Sequence, residues 1–196
     1  MQTTKTIAFF AFFAFFAAGT GTAQESPNRT KWSLEIDPAT FVWGGFSAHL
    51  RIQPKNAKHL VYGVGVYAMN MPDLLVGFDK NNKDQGWNVR INRGYGVFAE
   101  HHFVEVNRRW FAGGQASLQE YKIERDDADG SAKYTNALLM AFGGYAIQPF
   151  NFNLYFKPWA GVGYTGKISG QTKLGDAAYH IAPITMFATL HVGYSF

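Results

Sequence analysis

Polar and apolar residues alternate along most of the chain after its first 23 positions. The segment GFSAHLRI places Phe46, Ala48, Leu50 and Ile52 on one face, with Ser47, His49 and Arg51 on the other. The same period of two recurs in LVYGVGVYA, YGVFAEHHF, WFAGGQASL, LYFKPWAGVGY and ITMFATLHVGYSF. This period predicts β-strands, because successive side chains of a strand point to opposite faces. No stretch of this part sustains the 3.6-residue period of an amphipathic helix over three turns.

Two further segments bring the predicted strands to eight. WSLEI alternates at residues 32–36, and Trp32 to Ile52 leaves room for two strands of about nine residues with a tight connection near Pro38. Pairing about Val42 would set Glu35 opposite His49 and Ser33 opposite Arg51. NALLMAFGGYAI, at 136–147, is mostly apolar, so its pattern does not decide which side chains share a face.

The connections between these strands alternate in length. Residues 53–58, 104–108 and 149–152 are short, whereas 71–86, 124–133 and 167–179 are longer, polar and rich in Gly, Asn and Asp. Short turns at one end and long loops at the other are typical of outer-membrane barrels. An even strand count places both termini at the short-turn end. The sequence therefore predicts an all-β fold, an eight-stranded antiparallel up-and-down transmembrane β-barrel.

The first 23 residues predict a cleaved secretory signal peptide. Lys5 precedes a run of twelve apolar residues at 7–18, and Gly21-Thr22-Ala23 offers small residues for cleavage. A membrane-spanning helix needs about 20 apolar residues, so this run is too short to span. A retained short anchor is the alternative. We expect residues 1–23 to be removed and residues 24–196 to form one barrel domain in the outer membrane of a Gram-negative cell envelope.

The composition of the chain excludes some classes of binding partner and some sources of stability. The formal charge of +4 falls to +3 without Lys5, and the basic residues are scattered, which argues against nucleic-acid binding. The chain has no cysteine, so its stability must come from a core, a sheet or a bilayer and not from disulfides. Aromatic residues at 17% and 21 glycines favour a β-rich protein in contact with an apolar phase.

The two strand faces differ in a way that favours a membrane barrel over a soluble lipocalin-like one. Aromatic residues bracket the apolar face, as expected at a membrane–water boundary; this predicted girdle comprises Trp32, Tyr95, Phe103, Trp110 and Tyr164. The opposite face carries more ionisable groups than a dry interior tolerates unless they pair. This predicted polar cluster of the lumen comprises Glu35, His49, Arg51, Glu100, His102, Lys157 and His191.

The end of the chain carries a resemblance. A cysteine-free chain of eight alternating strands ending in Gly193-Tyr194-Ser195-Phe196 resembles the small bacterial outer-membrane β-barrels of the OmpA/OmpX type. In that family a glycine followed by aromatic-x-aromatic at the carboxyl terminus is the assembly signal, and Gly193, Tyr194 and Phe196 match its residue types. The resemblance implies outer-membrane lipid, lipopolysaccharide and the barrel-assembly machinery as partners, a monomeric state and no cofactor. It says little about activity.

The favoured function is structural, or a surface interaction through the long loops, with the lumen filled by its polar side chains. An eight-stranded barrel is narrow enough for side chains to fill. In this hypothesis Glu35 pairs with Arg51 or His49, and Glu100 pairs with Lys157 or a histidine.

Two alternatives stay open. Pro158 and Pro183 would interrupt the seventh and eighth strands and could give a small apolar molecule lateral access to the lumen. Histidine, serine and glutamate on one face are the parts of an acyl-transfer site, such as a lipid A-modifying enzyme would need. These residues show no local signature, so a non-enzymatic role is favoured. No metal site is predicted, since His101 and His102 point to opposite faces.

Overall fold

The computed structural model describes residues 29–150 and 152–196, so the predicted signal peptide, residues 1–23, lies outside the described residues. Within them the elements, in chain order, are β1 (Lys31–Ile36), α1 (Pro38–Val42), β2 (Phe46–Gln53), β3 (Leu60–Asn70), α2 (Asp73–Val76), β4 (Trp87–His102), β5 (Arg109–Arg125), β6 (Ala128–Ala146), β7 (Leu154–Gly170), β8 (Lys173–Leu174), β9 (Ala177–Ala178) and β10 (Ile184–Ser195). Neither helix of this part of the chain is long and apolar enough to cross a membrane.

Eight of these strands close into one antiparallel barrel, in the order β1-β10-β7-β6-β5-β4-β3-β2. Strands β8 and β9 form a separate two-stranded sheet within the last long loop. The barrel closes between its first and last strands, where Ser33 is the partner of Ser195 and Ile36 the partner of Val192. The backbones of Trp32 and Phe196 exchange two hydrogen bonds, of 3.2 and 2.8 Å. The predicted eight-stranded antiparallel barrel is confirmed.

The first hairpin differs from its prediction in one respect. Its register is as predicted, with Glu35 opposite His49 and Ser33 opposite Arg51. Its connection is not tight, however, and the two strands have six and eight residues where about nine were expected. The helix α1 takes the intervening place, because Asp37 caps it by accepting a 2.9 Å hydrogen bond from the Ala39 amide and proline is favoured at the first helical position.

Strand β10 is longer than β1, the strand with which it closes the barrel. Its ladder with β7 runs without interruption from Ile184↔Tyr164 to Tyr194↔Leu154, whereas its ladder with β1 ends at Val192. Along residues 184–190, the edge of β10 that faces away from β7 therefore pairs with no strand in the described part of the chain. We call this stretch the unpaired β10 edge. The helix α1 packs against β10 beside it.

The barrel has an apolar core at its long-loop end. The strands β4 to β7 have 16–19 residues and extend beyond the others at that end. Their inner side chains pack with α2 and with the β8–β9 loop around the residues Val76, Trp87, Val89, Ile123 and Tyr134. Asn82 and His180 connect the two loops by two hydrogen bonds. Asn82 Nδ2 donates to the His180 carbonyl at 2.7 Å, and the His180 amide donates to Asn82 Oδ1 at 2.9 Å. In this cap, burial and the Asp79 carboxylate raise the pKa of Tyr179 to about 12.

The facing of β6, which the sequence left undecided, is determined by its burial. Leu138 and Met140 are buried inside the barrel, whereas Leu139 between them is 65% exposed on the outside. Phe142 follows on the inner face, against Phe111 and Trp159. An apolar stretch therefore covers part of the interior, above the polar cluster.

Candidate functional site

Four charged side chains meet in the barrel interior near the short-turn end. Glu35 from β1, Arg51 from β2, Glu100 from β4 and Lys157 from β7 are each at most 3% exposed. Arg51 Nη1 lies 2.9 Å from Glu35 Oε1, and Arg51 Nη2 pairs with Glu100 Oε2. Lys157 Nζ lies 3.0 Å from Glu35 Oε1 and 2.6 Å from Glu100 Oε1. We call these four residues the ionic plug.

Each carboxylate of the ionic plug contacts both cations, and each cation contacts both carboxylates. Two acids and two bases leave no net formal charge. Taking single charges out of water is costly, and only close pairing with additional hydrogen bonds offsets that cost. The reciprocal arrangement supplies this pairing from four different strands.

Neutral side chains anchor the plug on its short-turn side. Arg51 Nη1 donates to the Tyr155 hydroxyl at 2.8 Å and to Asn107 Oδ1 at 2.7 Å. Asn107 Nδ2 in turn donates to Ser195 Oγ at 3.0 Å, and the Ser195 and Ser33 hydroxyls lie 2.8 Å apart. Because Asn107 belongs to the short turn between β4 and β5, the turn itself helps to close this end of the barrel.

The three histidines of the predicted cluster take different places. His102 Nε2 lies 3.1 Å from Glu100 Oε2, and His191 Nδ1 lies 3.1 Å from Glu35 Oε2. His49 contacts neither carboxylate in the described geometry, but stacks on His191 with ring centroids 4.7 Å apart. Of the two partners considered for Glu35, Arg51 is the one that contacts it in the described geometry.

A layer of rings surrounds the interior next to the ionic plug, and plug residues still contact the space beyond it. Trp159 meets His191 edge to face, with centroids 5.4 Å apart, and approaches Phe187 at 5.8 Å. On the other side, His49 contacts Phe98 at 6.1 Å. Large rings fit here because glycines face them, and a Cβ at Gly65 would overlap the His49 ring.

Above this layer lies a cavity of about 130 Å³. Its apolar lining includes Met69, Met71, Ile91, Leu138, Met140, Phe142 and Phe187. Polar groups such as Gln115, Gln119 and Thr185 interrupt this surface, and plug residues form its floor. The polar side-chain network therefore occupies the short-turn half, while the other half is largely apolar. The alternating pattern missed this because β6 is apolar on both faces.

The two prolines do not open the wall between the seventh and eighth barrel strands. Pro158 lies within β7 opposite Leu190, and the ladder continues on both sides of it. Pro183 precedes β10, and its carbonyl accepts a 2.8 Å hydrogen bond from the Thr165 amide. The alternative of a lateral gap between these two strands is therefore not supported, since a proline whose missing N–H faces away from its ladder partner leaves the ladder whole.

The geometry favours neither an acyl-transfer site nor a metal site. Ser195 Oγ is bonded to Ser33 and Asn107, and the plug histidines contact glutamates, so no serine–histidine hydrogen bond is formed among the described contacts. Within residues 29–150 and 152–196, no group of three or more His, Cys, Asp or Glu side chains could hold a metal ion.

The predicted girdle and carboxyl-terminal residues lie on the barrel wall. All five girdle aromatics point outward, with exposed fractions of 39–64%: Trp32, Tyr95, Phe103, Trp110 and Tyr164. Tyr194 and Phe196 also point outward at the closing strand. Gly193 faces the interior, where the Tyr155 ring lies directly against it.

Sequence reasoning assigned no contact to several residues of the interior. Tyr155 is on the inner face of an alternating strand, and this position was the available signal for it. Asn107 has a positive φ of 65° in a turn, and nothing in the local pattern directs its side chain to Arg51. Asp37 and Thr189, which join α1 to β10 by a 2.8 Å hydrogen bond, are brought together only by the closure of the barrel.

No protein-family model and no curated protein matches the chain. Among solved structures it is similar to the N-terminal β-barrel domain of Pseudomonas aeruginosa OprF, at 14% identity and a TM-score of 0.42, covering 88% of this chain and 100% of that one. It is also similar to a major outer membrane protein from Thermus thermophilus, at 14% identity and a TM-score of 0.44, covering 85% of this chain and 99% of that one.

Proposed function

We propose that this chain is a monomeric outer-membrane β-barrel that is closed to ions, with a structural role or a surface-interaction role through its long loops. The observation that carries the proposal is the ionic plug. Four buried, mutually paired charges, tied to a turn by Asn107 and Tyr155, obstruct the short-turn end of the lumen. A barrel of eight strands has no room for a second path beside them.

The outer surface supports placement in a bilayer. Apolar side chains such as Leu50, Val64, Val97 and Val162 are 38–58% exposed on the barrel exterior, which water would not favour. The Arg93–Glu120 pair, at 3.4 Å, stands on the outer face just beyond Tyr95, toward the long loops. This order of apolar band, aromatic residue and charge is the one expected across a membrane boundary.

The proposed partners follow from that placement. Bilayer lipid would surround the apolar band, and lipopolysaccharide would meet the long-loop end. The barrel-assembly machinery would engage the last strand, where Gly193, Tyr194 and Phe196 match the residue types of the resembled assembly signal. Partners on the cell surface would contact the long-loop end, at residues 71–86, at the tip of the β5–β6 hairpin around 126–127 and at the loop 171–183.

Conductance across planar lipid bilayers tests the closed state. The native barrel should give no stable current steps in roughly 1 M KCl. The charge-neutral variant Arg51→Ser/Glu100→Ser, which removes half of the ionic plug, should give them. The matched control, Arg93→Ser/Glu120→Ser, removes an outer ion pair and should stay closed. Stable steps from the native barrel would overturn the proposal, whether or not the plug variant folds.

Single introduced cysteines test the membrane placement, because the chain contains none. Asp129→Cys lies at the exposed long-loop end of β6, and Lys55→Cys lies in a short turn at the opposite end. On intact cells, a membrane-impermeant maleimide should label Asp129→Cys and not Lys55→Cys. After the outer membrane is permeabilised, both should react. Equal labelling of both variants on intact cells would contradict the proposed orientation.

A further inference from the structure

The wall beside the cavity is the part of the barrel where the ladder is incomplete. Thr185 and Phe187 line the cavity from β10, and Asp37 and Thr40 line it from the other side of the unpaired β10 edge. Ile184 is the ladder partner of Tyr164, so this edge begins at the level of a girdle aromatic. The outward side chains along it, Ile184 and Met186, are apolar and about half exposed. In the proposed membrane placement, the incomplete wall faces the bilayer.

The backbone of this edge is chemically unusual for a membrane barrel. Trp32 and Phe196 exchange their hydrogen bonds, so every second residue of β10 turns its N–H and C=O toward the β1 side. By this alternation, Ile184, Met186 and Ala188 present these groups where β1 no longer runs. Bare backbone groups in lipid are costly. This cost would be smaller if the groups lined a passage, because a partly polar molecule in the passage could hydrogen-bond to them.

The cavity fits a small apolar body. Met69, Met140 and Phe142 contribute flexible and aromatic surfaces, and methionine adapts to irregular ligand shapes. Its volume of about 130 Å³ is close to that of an engineered cavity of about 150 Å³ that holds benzene. The size therefore corresponds to a molecule of about six carbon atoms, not to a complete lipid.

The floor of the cavity adds a polar requirement. The indole Nε1 of Trp159, a cavity-lining residue, is buried with no hydrogen-bond partner among the described residues. An indole N–H can only donate, so its natural complement is an acceptor oxygen. Glu35 and Glu100 are balanced by Arg51 and Lys157 in the ionic plug, which leaves Asp37 as the remaining carboxylate of the lining. This unbalanced carboxylate disfavours a ligand carboxylate and favours a neutral oxygen.

We propose that the cavity binds a small neutral apolar molecule with one hydrogen-bond-accepting oxygen, of the alcohol or phenol class, which enters from the membrane past the unpaired β10 edge. The apolar body lies against Met69, Met140 and Phe142, and the oxygen accepts from Trp159 Nε1. The site lies above the ionic plug, so binding does not require a channel through the barrel.

Methionine methyl resonances test the site directly. Met69, Met71 and Met140 line the cavity, whereas Met186 is 52% exposed on the outer wall and serves as an internal control. The barrel, labelled with ¹³C-methyl methionine in lipid nanodiscs, is titrated with 1-hexanol. The three cavity methyls should shift saturably, whereas Met186, which faces the lipid beside the proposed entry, should show only the linear, non-saturating shift of partition into the bilayer. Linear, non-saturating shifts of all four would mean partition into lipid only and would overturn the proposal.

Variants and a matched ligand test the polar contact. Trp159→Phe keeps an aromatic ring and removes the donor, so it should weaken 1-hexanol binding about fivefold, the loss of one net hydrogen bond. Trp110→Phe, on the outer wall, should bind as the native barrel does. Hexanoate, with the same chain length, should bind more weakly than 1-hexanol. Equal binding of the two ligands would contradict the neutral class.

The route is tested by locking α1 to β10. The Asp37 and Thr189 side chains are in hydrogen-bond contact, which makes Asp37→Cys/Thr189→Cys a candidate disulfide in a chain with no other cysteine. The oxidised variant should exchange 1-hexanol at least about tenfold more slowly than the same protein after reduction. If no disulfide forms, Thr189→Val should accelerate exchange. Unchanged exchange in the oxidised protein, or in Thr189→Val, would overturn the route.

The ligand test and the conductance test fail separately. A conducting native barrel would overturn the closed state without affecting saturable methyl shifts. Absent methyl shifts would overturn the ligand site and leave the closed, structural barrel in place.

Discussion

Thr189 donates a 2.8 Å hydrogen bond to Asp37 at the point where the ladder between the first and last strands ends. The same Asp37 oxygen caps α1 by accepting from the Ala39 amide. One carboxylate thus fixes the start of the helix and attaches it to β10. This contact decides how firmly α1 covers the unpaired β10 edge.

Thr189→Val should loosen α1 without unfolding the barrel. The substitution keeps the shape of the side chain and removes the hydroxyl, at a cost of about 1 kcal/mol. Hydrogen–deuterium exchange of the amides in residues 38–45 should become faster, while exchange in β5 and β6 stays unchanged. Thr185→Val, four residues along on the same inner face, is the control. If exchange became faster in both variants, the cause would be the loss of any hydroxyl from the inner face of β10 and not the loss of the Asp37 contact.

Lys157→Met should strongly destabilise the barrel. It leaves Glu35 and Glu100 buried with Arg51 as the remaining cation of the plug, and breaking a buried ion pair from one side costs about 3–5 kcal/mol. Urea unfolding in lipid vesicles measures the free energy of unfolding. Lys167→Met, on the exposed end of β7, should have little effect.

A compensating change sharpens the test of the plug. Glu100→Gln added to Lys157→Met restores the charge balance and should recover part of the lost stability. If the double variant is less stable than Lys157→Met alone, the charge balance of the plug is not what stabilises this region.

Gly193→Ala should destabilise the closing strand through its contact with Tyr155. A Cβ at Gly193 would overlap the Tyr155 ring, and overpacking of this kind costs about 1–3 kcal/mol. Gly114→Ala is the matched control, since its Cβ would lie no closer than 3.8 Å to the Met140 carbonyl oxygen. Unfolding measured by the heat-dependent shift in gel mobility should occur at a lower temperature for Gly193→Ala only.

Phe196→Ala should reduce the amount of barrel that reaches the outer membrane more than it reduces stability after folding. The backbone bonds of Phe196 with Trp32 remain available to alanine, whereas the aromatic side chain of the proposed assembly signal is lost. Phe103→Ala removes an outward aromatic of similar exposure at another position. Quantitative immunoblotting of the outer-membrane fraction compares them. The assembly role is falsified if both variants accumulate to the same level.

Where polar and apolar residues alternate, the sequence was sufficient to predict which side chains face the barrel interior. Glu35, Arg51 and Lys157 each stand between two apolar residues of an alternating strand, and Glu100 follows Ala99 at an alternate position of its own. Pairing of the strands brings these residues together. Leu138 and Leu139 show the limit, because two adjacent apolar residues carry no information about which one faces inward. The apolar chamber lies where that information is missing.

Other features depend on distant parts of the chain. The Asp37-Pro38 pair is a local signal for a helix start, but it competed with a strand pattern on both sides. Asn107 reaches Arg51 across 56 residues of sequence, and no local pattern encodes such a contact. The unpaired β10 edge arises from the difference in length between two strands at opposite ends of the chain.

The ionic plug has a consequence for how the barrel forms. Its members come from four strands, and Lys157 is separated from Glu35 by 122 residues. An intermediate that buried these positions before all four strands were in place would hold a charge without its counter-ion, which is costly. We therefore expect the plug to favour complete closure of the barrel in its native register.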